Sequence, residues 1–413
     1  MKVIQINSVY NFGSTGKITH DLHQYLLSKG VDSKVYYGRG PQTKAPEVIR
    51  LCPDLYGKAN SLLSRLHGAP YGGCWLSTAR LLRCLKREQP DVVHLQCVNG
   101  HFVNIYRLLD WLKREKIPTV LTLHAEFMYT GGCTHGDGCG QWKTGCRNCP
   151  DGRKDDRSLL LDRTASSWRK LHQIYRDWKE LTIVGCSDWI TSRASQSGAL
   201  QHRRCLTIHN GIDNHAIFYP REGASALIRE KYGIPEEKKL VLYVAPAFST
   251  EKGFDLLLRL VEESRGQPLH YLLAGESIPL RMEHVTAVGR VADQHFLARL
   301  YSAADALVMC SRRENYPTVC LEAVSCGTPV AGFQVGGVAE TIFPGMGGTV
   351  PLGDSKGMQD LLQTLIREKP SLRAVKEARG ACCKERMAEE YLRLYQSLAG
   401  GKHGEDPDSE QLF

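Results

Sequence analysis

The run Asp305-Ala306-Leu307-Val308-Met309, then Glu314-Asn315-Tyr316-Pro317-Thr318-Val319-Cys320-Leu321-Glu322-Ala323, closed by Cys326-Gly327-Thr328-Pro329-Val330, decides the fold. Its first five residues read as a short buried strand. Pro317 and Thr318 suit the opening of a helix, where proline's missing N–H costs nothing. Strand, loop and helix in this order are the repeating unit of a parallel α/β sheet, and ligands bind such sheets at the C-terminal ends of the strands. Glu314 then lies in the loop and Glu322 about a turn into the helix. The free amides and positive dipole end of that helix favour a phosphate. Two carboxylates beside it can accept hydrogen bonds from sugar or ribose hydroxyls. Together these features describe a nucleotide-sugar. The plain alternative for the bare spacing is two solvated helix-surface glutamates.

The same alternation runs along the whole chain. Val3-Ile4-Gln5-Ile6, Val35-Tyr36-Tyr37, Val92-Val93-His94-Leu95, Val120-Leu121-Thr122-Leu123 and Ile183-Val184-Gly185 read as strands, with helical candidates between them such as 16–29, 104–115 and 163–178. The pattern repeats at Leu240-Val241-Leu242-Tyr243-Val244, His270-Tyr271-Leu272-Leu273-Ala274, Ala306-Leu307-Val308-Met309 and Val330-Ala331-Gly332. This predicts parallel sheets with helices on both faces, in two Rossmann-like domains facing a cleft that holds the site. The Asn210-Gly211 pair marks a tight turn at the junction. The expected domains are 1–215 and 216–384, followed by an amphipathic helix at 385–400 and a loose polar tail at 401–413.

At 413 residues the chain is long enough for two cores, and its 42% hydrophobic and 23% charged content is ordinary for a globular protein. No apolar run reaches the roughly 18–20 residues that span a bilayer. Met1-Lys2-Val3-Ile4-Gln5-Ile6 reads as a first strand, not a signal peptide. The expected location is the cytoplasm, where the fifteen cysteines are reduced thiols, core residues or metal ligands and not disulfides. The charge is uneven. Residues 1–220 hold 30 Lys and Arg against 18 Asp and Glu, and the remainder holds 23 against 26. Each basic cluster (Arg83, Lys86, Arg87; Lys113, Arg114, Lys116) reads by itself as a solvated helix face. The asymmetry between halves suits a first domain that approaches a phosphate-bearing acceptor or anionic lipid on the inner face of the cell membrane. Nucleic acid fits poorly, because zinc-finger spacing, an RNP-like motif and an unbroken basic helix are all missing.

The aromatic-Pro pair after Glu314, with Gly-x-Pro-Val after Glu322, closely resembles the donor-site signature of the retaining glycosyltransferases of family 4, which have the GT-B fold. Asn210-Gly211-Ile212-Asp213, followed by Phe218-Tyr219-Pro220, is similar to the family's domain junction. The resemblance covers about residues 1–400 and implies a final helix that crosses back onto the first domain. It implies that Glu314 binds hydroxyls of the transferred sugar and Glu322 the ribose. Lys252, in Phe248-Ser249-Thr250-Glu251-Lys252-Gly253, is then the diphosphate clamp, helped by the stretch Asn315, Tyr316, Thr318 and Val319. Gly289 and Arg290 fall where the family holds the nucleobase through backbone contacts. Gly13 and Gly16, in Asn11-Phe12-Gly13-Ser14-Thr15-Gly16-Lys17, resemble the glycine-rich first loop under the donor. This is not a P-loop, because Asn11 occupies the position of its first glycine; an ordinary tight turn is the alternative. His124 falls where the family carries a histidine near the transferred sugar, so His124, Glu314 and Lys252 form the expected catalytic set.

The chain departs from the pattern in two places. Ala125 follows His124 where related enzymes often have Asp, leaving Glu126 as a candidate substitute. Ala245-Pro246-Ala247 stands where an arginine usually helps with the diphosphate, and Arg290, Arg312 and Arg313 are the candidate replacements.

Cys133, Cys139, Cys146 and Cys149 lie in a polar, glycine-rich segment with spacings of five, six and two. A structural zinc is one reading, although the spacing is not that of a standard zinc finger; disulfides and free thiols stay open. A similar insertion occurs in a colanic-acid-type branch of family 4 that builds surface polysaccharides, where it would border the acceptor. The resulting expectation is a retaining transferase that moves a sugar from a nucleotide-sugar to a hydroxyl of a growing, lipid-linked surface glycan. It would need no metal for catalysis. A nucleotide-sugar epimerase of the same fold and a non-catalytic membrane- or partner-binding module are the alternatives.

Overall fold

The computed structural model describes residues 1–68, 70–136, 138–150, 161–278 and 282–400. The expected tail at 401–413 lies outside the described residues. The chain divides into two compact units, residues 1–209 with the C-terminal stretch from Met387, and Asn210–Arg386.

Unit 1 contains β1 (Lys2–Asn7), β2 (Asp32–Tyr37), β3 (Val48–Arg50), β4 (Val92–Leu95), β5 (Thr119–Leu123), β6 (Leu181–Gly185) and β7 (Arg204–Thr207). They form one sheet in the order β3-β2-β1-β4-β5-β6-β7, and the pairings are parallel. The central strands are apolar and buried throughout, as a sheet covered on both faces requires: every residue of β4, β5 and β6 is buried. Capping sets several helix starts. The Asn104 side chain accepts from Arg107 N–H at the head of helix Ile105–Arg114, and Ser187 accepts from Ile190 N–H at the head of helix Asp188–Gln196. The final helix, Lys384–Gly400, places Met387, Ala388, Tyr391, Leu392 and Tyr395 in the core of this unit with Ile18, Leu22, Leu26, Val92 and Val120.

Unit 2 contains β8 (Lys239–Ala245), β9 (Leu269–Gly275), β10 (Val285–Gly289), β11 (Ala306–Met309), β12 (Val330–Phe333) and β13 (Gly347–Val350). Their order is β10-β9-β8-β11-β12-β13, again in parallel pairs. The core packs Val241, Tyr243, Leu257, Leu273, Val308 and Phe333 with helix residues Met358 and Leu362. At the junction, Ile212 bridges Cys383, and a Cβ on Gly211 would lie 2.5 Å from the Cys383 carbonyl oxygen. Only glycine fits this close approach.

Both sheets reverse direction once. In unit 1 the reversal falls between β1 and β4, and in unit 2 between β8 and β11. The loops that leave these strand pairs diverge and open a crevice, the place where such sheets bind ligands.

Candidate active site

The unit 2 reversal point brings together residues 62 apart in sequence. Lys252, on the loop after β8, extends its Nζ to 2.7 Å from Glu314 Oε1, on the loop after β11. The Lys252 side chain is 34% exposed and that of Glu314 15% exposed, so the pair faces solvent through the cation. Backbone fit holds both loops. A Cβ on Gly253, whose φ is +69°, would fall 1.8 Å from the Cys310 carbonyl oxygen. A Cβ on Gly336, φ +52°, would fall 1.6 Å from the Glu314 carbonyl oxygen. Neither position admits a side chain.

Helix Thr318–Ser325 begins directly after this loop, with Pro317 at its N-cap, a residue that has no side-chain group to cap the first turn. Thr318 and Val319 are half-buried, and Asn315 and Tyr316, just before the helix, are buried. Glu322 is the fifth residue of the helix and accepts from the Tyr301 hydroxyl at 2.8 Å. Burial, together with the Glu322 charge, pushes the Tyr301 phenol well above its usual range, so it stays a donor. Cys310 and Cys320, which border the site, are pushed up to about 12 by burial and offer no thiolate. Gly289, φ +78°, ends β10, and Arg290 after it is exposed.

Arg312, one candidate for the missing diphosphate cation, is engaged within its own surroundings. Its guanidinium is held by Asp255 through two 2.6 Å bonds and donates to Thr250 O at 2.6 Å. It therefore braces the Lys252 loop.

At the unit 1 reversal point, Asn7 pins the glycine-rich loop. Its Nδ2 donates to Val9 O, Thr15 O and Thr19 Oγ1, and its Oδ1 accepts from Ser8 and Cys97 N–H. Gly13 opens helix Gly13–Ser28 with φ +63°. A Cβ on Gly16 would come 3.1 Å from Val9 Cγ2, so this glycine lets the helix start pack on the loop. His124 is half-buried at the end of β5, with Nε2 2.8 Å from Gln96 Oε1. Gln96 approaches His94 Nδ1 at 3.4 Å; that atom is 2.6 Å from the Tyr395 hydroxyl, and His94 Nε2 is 2.7 Å from Thr122 Oγ1. Thr122 in turn meets the Tyr391 hydroxyl at 2.8 Å. The final helix is thus tied by its tyrosines to the histidine at the site, a connection that local sequence gives no sign of.

Burial keeps these imidazoles neutral. It lowers His124 and His23 to about 4, and lowers His94 well below its ordinary value with some help from His124. The unfolded chain binds these protons near pH 6.5 and the folded chain does not, so stability is complete above pH 6.5 and is lost as pH falls toward 4. The thermal midpoint should drop across that window. A His94→Asn variant, less stable at neutral pH, should show a shallower drop; an equal slope would remove His94 from the effect.

Two expectations are corrected here. Glu126 is fully buried and does not stand in for the family's aspartate. Its carboxylate accepts from Arg193 Nε at 2.6 Å, the Tyr129 hydroxyl at 2.6 Å and Gly136 N–H, which anchors the cysteine-rich loop from inside. Cys133, Cys139, Cys146 and Cys149 form no zinc set. Among the described residues, no three of their sulfurs come within 4.8 Å of one another. Cys146 Sγ accepts from Gly131 N–H instead. Trp142 organises the loop: it is buried under the Arg193 guanidinium at 4.6 Å, and its carbonyl accepts from Trp168 Nε1 at 3.1 Å.

A cation and a carboxylate paired on the loops that lead into a helix start suit a diphosphate and the hydroxyls of an attached sugar, the combination that GT-B nucleotide-sugar transferases use. The chain belongs to glycosyltransferase family 4, a retaining family that typically works without a metal. Residues 15–216 match the family described as Glycosyltransferase Family 4, and residues 225–380 match Glycosyl transferases group 1. A putative colanic acid biosynthesis glycosyl transferase, WcaC, of Escherichia coli (strain K12) is 27% identical over 96% of this chain and 100% of its own length. Among solved structures, sucrose-phosphate synthase from Thermosynechococcus elongatus superposes with a TM-score of 0.67 at 17% identity, covering 97% of this chain and 100% of its own. Anabaena Alr3699/HepE, in complex with UDP and glucose, superposes with a TM-score of 0.63 at 16% identity, covering 96% and 100%.

Proposed function

We propose that this transferase adds a sugar from a nucleotide-sugar to a hydroxyl of a growing surface glycan carried on lipid. The observation that carries the reading is the Lys252–Glu314 pair on the loops that lead into helix Thr318–Ser325, whose start has proline at its N-cap. In this reading Lys252 and the amides of Tyr316, Thr318 and Val319 stabilise the departing diphosphate. Glu314 holds hydroxyls of the transferred sugar, and Glu322, oriented by Tyr301, holds the ribose. Gly289 and Arg290 border the nucleobase, with Arg290 the exposed candidate for the second diphosphate cation. His124 acts as a neutral hydrogen-bonding group near the sugar, with the Gly13–Gly16 loop beside it. The acceptor oxygen attacks from the face that the diphosphate leaves. The leaving phosphate takes the acceptor's proton, so configuration is retained without a protein nucleophile.

The colanic acid name of the relative supports a surface-polysaccharide acceptor. The basic balance of residues 1–220 supports unit 1 as the side toward acceptor and membrane, on the cytoplasmic face. Among the described residues, no helix is long and apolar enough to cross a membrane, which fits peripheral attachment.

The test is calorimetric titration with UDP-, GDP-, ADP- and dTDP-sugars, UDP-sugars first. One of them should bind, and Glu322→Ala should weaken it roughly tenfold or more by removing a hydrogen bond to a charged group. Unchanged donor affinity in a folded Glu322→Ala protein would remove the ribose assignment.

A further inference from the structure

Helix Asp54–His67 is amphipathic with its apolar side outward. Leu55, Leu62, Leu63 and Leu66 are exposed by 78, 58, 50 and 39%. Leu55, Ala59, Leu62 and Leu66 follow the spacing i, i+4, i+7, i+11, one stripe along the helix. The inward side is polar or small. Asn60 Oδ1 accepts from Cys74 N–H at 2.8 Å, the Tyr56 hydroxyl accepts from Leu76 N–H at 3.2 Å, and Ser64 is buried. A core-facing helix has the opposite pattern.

The apolar surface continues into the next helix, Trp75–Glu88, where Trp75 is 60% and Leu76 76% exposed. These six side chains are nearly half of the thirteen large apolar ones exposed among the described residues, and the rest are scattered. A surface of this kind marks an interaction site.

Charge identifies the partner. From residue 54 to 87 the chain carries six Lys and Arg and one acidic residue, Asp54, which is paired with Arg50. Lys58 and Arg65 flank the leucine stripe on its own helix, and both are exposed. The Arg107 guanidinium lies 5.4 Å from the centre of the Trp75 ring. A groove of about 600 Å³ opens beside Trp75, with Tyr106, Arg107, Asp110, Lys113 and Lys170 among its walls. Two copies meeting through this surface would place cations against cations. A bilayer bearing anionic headgroups offers hydrocarbon to the leucines and phosphate to the cations.

We propose that the leucine face of helix Asp54–His67, continued by Trp75 and Leu76 and rimmed by Lys58, Arg65 and Arg107, docks this protein on an anionic lipid bilayer. The inference rests on the reading of unit 1 as the membrane side and names the surface responsible. Trp75 sits at the level of the headgroups, and the neighbouring groove receives headgroup phosphate.

The experiment is co-sedimentation of the full chain with vesicles of phosphatidylglycerol and phosphatidylethanolamine, against pure phosphatidylcholine. The expected result is binding to the anionic vesicles that weakens as salt rises. The double variant Leu62→Glu, Leu66→Glu should reduce it by more than about tenfold, from lost apolar burial and added repulsion. Both positions are solvent-exposed, so the variant keeps its fold, and nucleoside diphosphate titration should be unchanged. Undiminished vesicle binding by the variant, or none by the parent, overturns the proposal. So does a parent dimer in light scattering that the variant dissolves, because the face then joins two copies. If vesicle binding behaves as expected while no nucleoside diphosphate binds, the transfer reading fails and the docking surface stands.

Discussion

Replacing Arg193 with methionine should lower the protein's stability by about 3–5 kcal/mol, the cost of leaving a buried charge uncompensated. The charge is that of Glu126, which has no solvent exposure. The Arg193 Nε–Glu126 Oε1 bond of 2.6 Å is its ion pair, and the guanidinium is further enclosed by the rings of Trp142 at 4.6 Å and Trp189 at 4.9 Å. Methionine fills similar volume but removes both the ion pair and the contact of a cation with two aromatic faces. Urea unfolding followed by circular dichroism measures the loss. Adding Glu126→Leu should recover much of it, because a buried pair replaced as a whole by apolar groups is often neutral. Cys146→Ser and incubation with a chelator should each change the midpoint little. A chelator that destabilised the parent as strongly as the Arg193 substitution would return the loop to metal control.

This loop shows what sequence pattern could and could not give. Four cysteines in 17 residues are conspicuous, while Arg193 and Glu126 are 67 residues apart and each reads as an ordinary charged residue. The strands divide in the same way. The nine apolar runs recognised in the sequence are the interior strands of the two sheets. The four that escaped, β3, β7, β10 and β13, are the edge strands. An edge strand is short and partly solvated, so burial imposes no continuous apolar run. β10 and β13 have no fully buried residue, and β7 begins with an exposed arginine.

In the candidate site, the roles proposed for Glu314 and Glu322 rest on local pattern, because helix starts and strand ends constrain residue choice, and that of Lys252 also rests on the likeness of its loop to the family's donor loop. The groups that position them have no such local sign. Tyr301 reaches Glu322 from a neighbouring helix, and Tyr395 reaches His94 across 301 residues. Gly336 is an intermediate case. Gly336-Gly337 after a strand signals a close backbone approach, but only the fold shows that the approached group is Glu314.

The Lys252–Glu314 pair supplies the sharpest test of the donor site, because the two substitutions should act in opposite directions on one ligand. Without donor, the Lys252 ammonium is held 2.7 Å from the Glu314 carboxylate. In the proposed role it turns part of that interaction toward the diphosphate, while Glu314 accepts from sugar hydroxyls. Lys252→Ala removes a hydrogen-bonding cation, so nucleoside diphosphate affinity should fall by about 1.5–3 kcal/mol, with little change for the bare nucleoside. Turnover should fall by a further factor on the order of 10²–10³, because the charge on the leaving group grows in the transition state. Glu314→Gln frees Lys252 from its partner and removes a negative charge from beside the diphosphate. The nucleoside diphosphate should then bind as tightly as before or more tightly, while transfer still collapses because the sugar hydroxyls have lost a charged acceptor and meet an amide NH2 in place of one oxygen. Calorimetry with nucleoside, nucleoside diphosphate and intact nucleotide-sugar separates these terms. Equal losses for nucleoside and nucleoside diphosphate in Lys252→Ala would show that the lysine touches no phosphate. Weakened nucleoside diphosphate binding in Glu314→Gln would show that the carboxylate serves to aim Lys252 and not to hold the sugar.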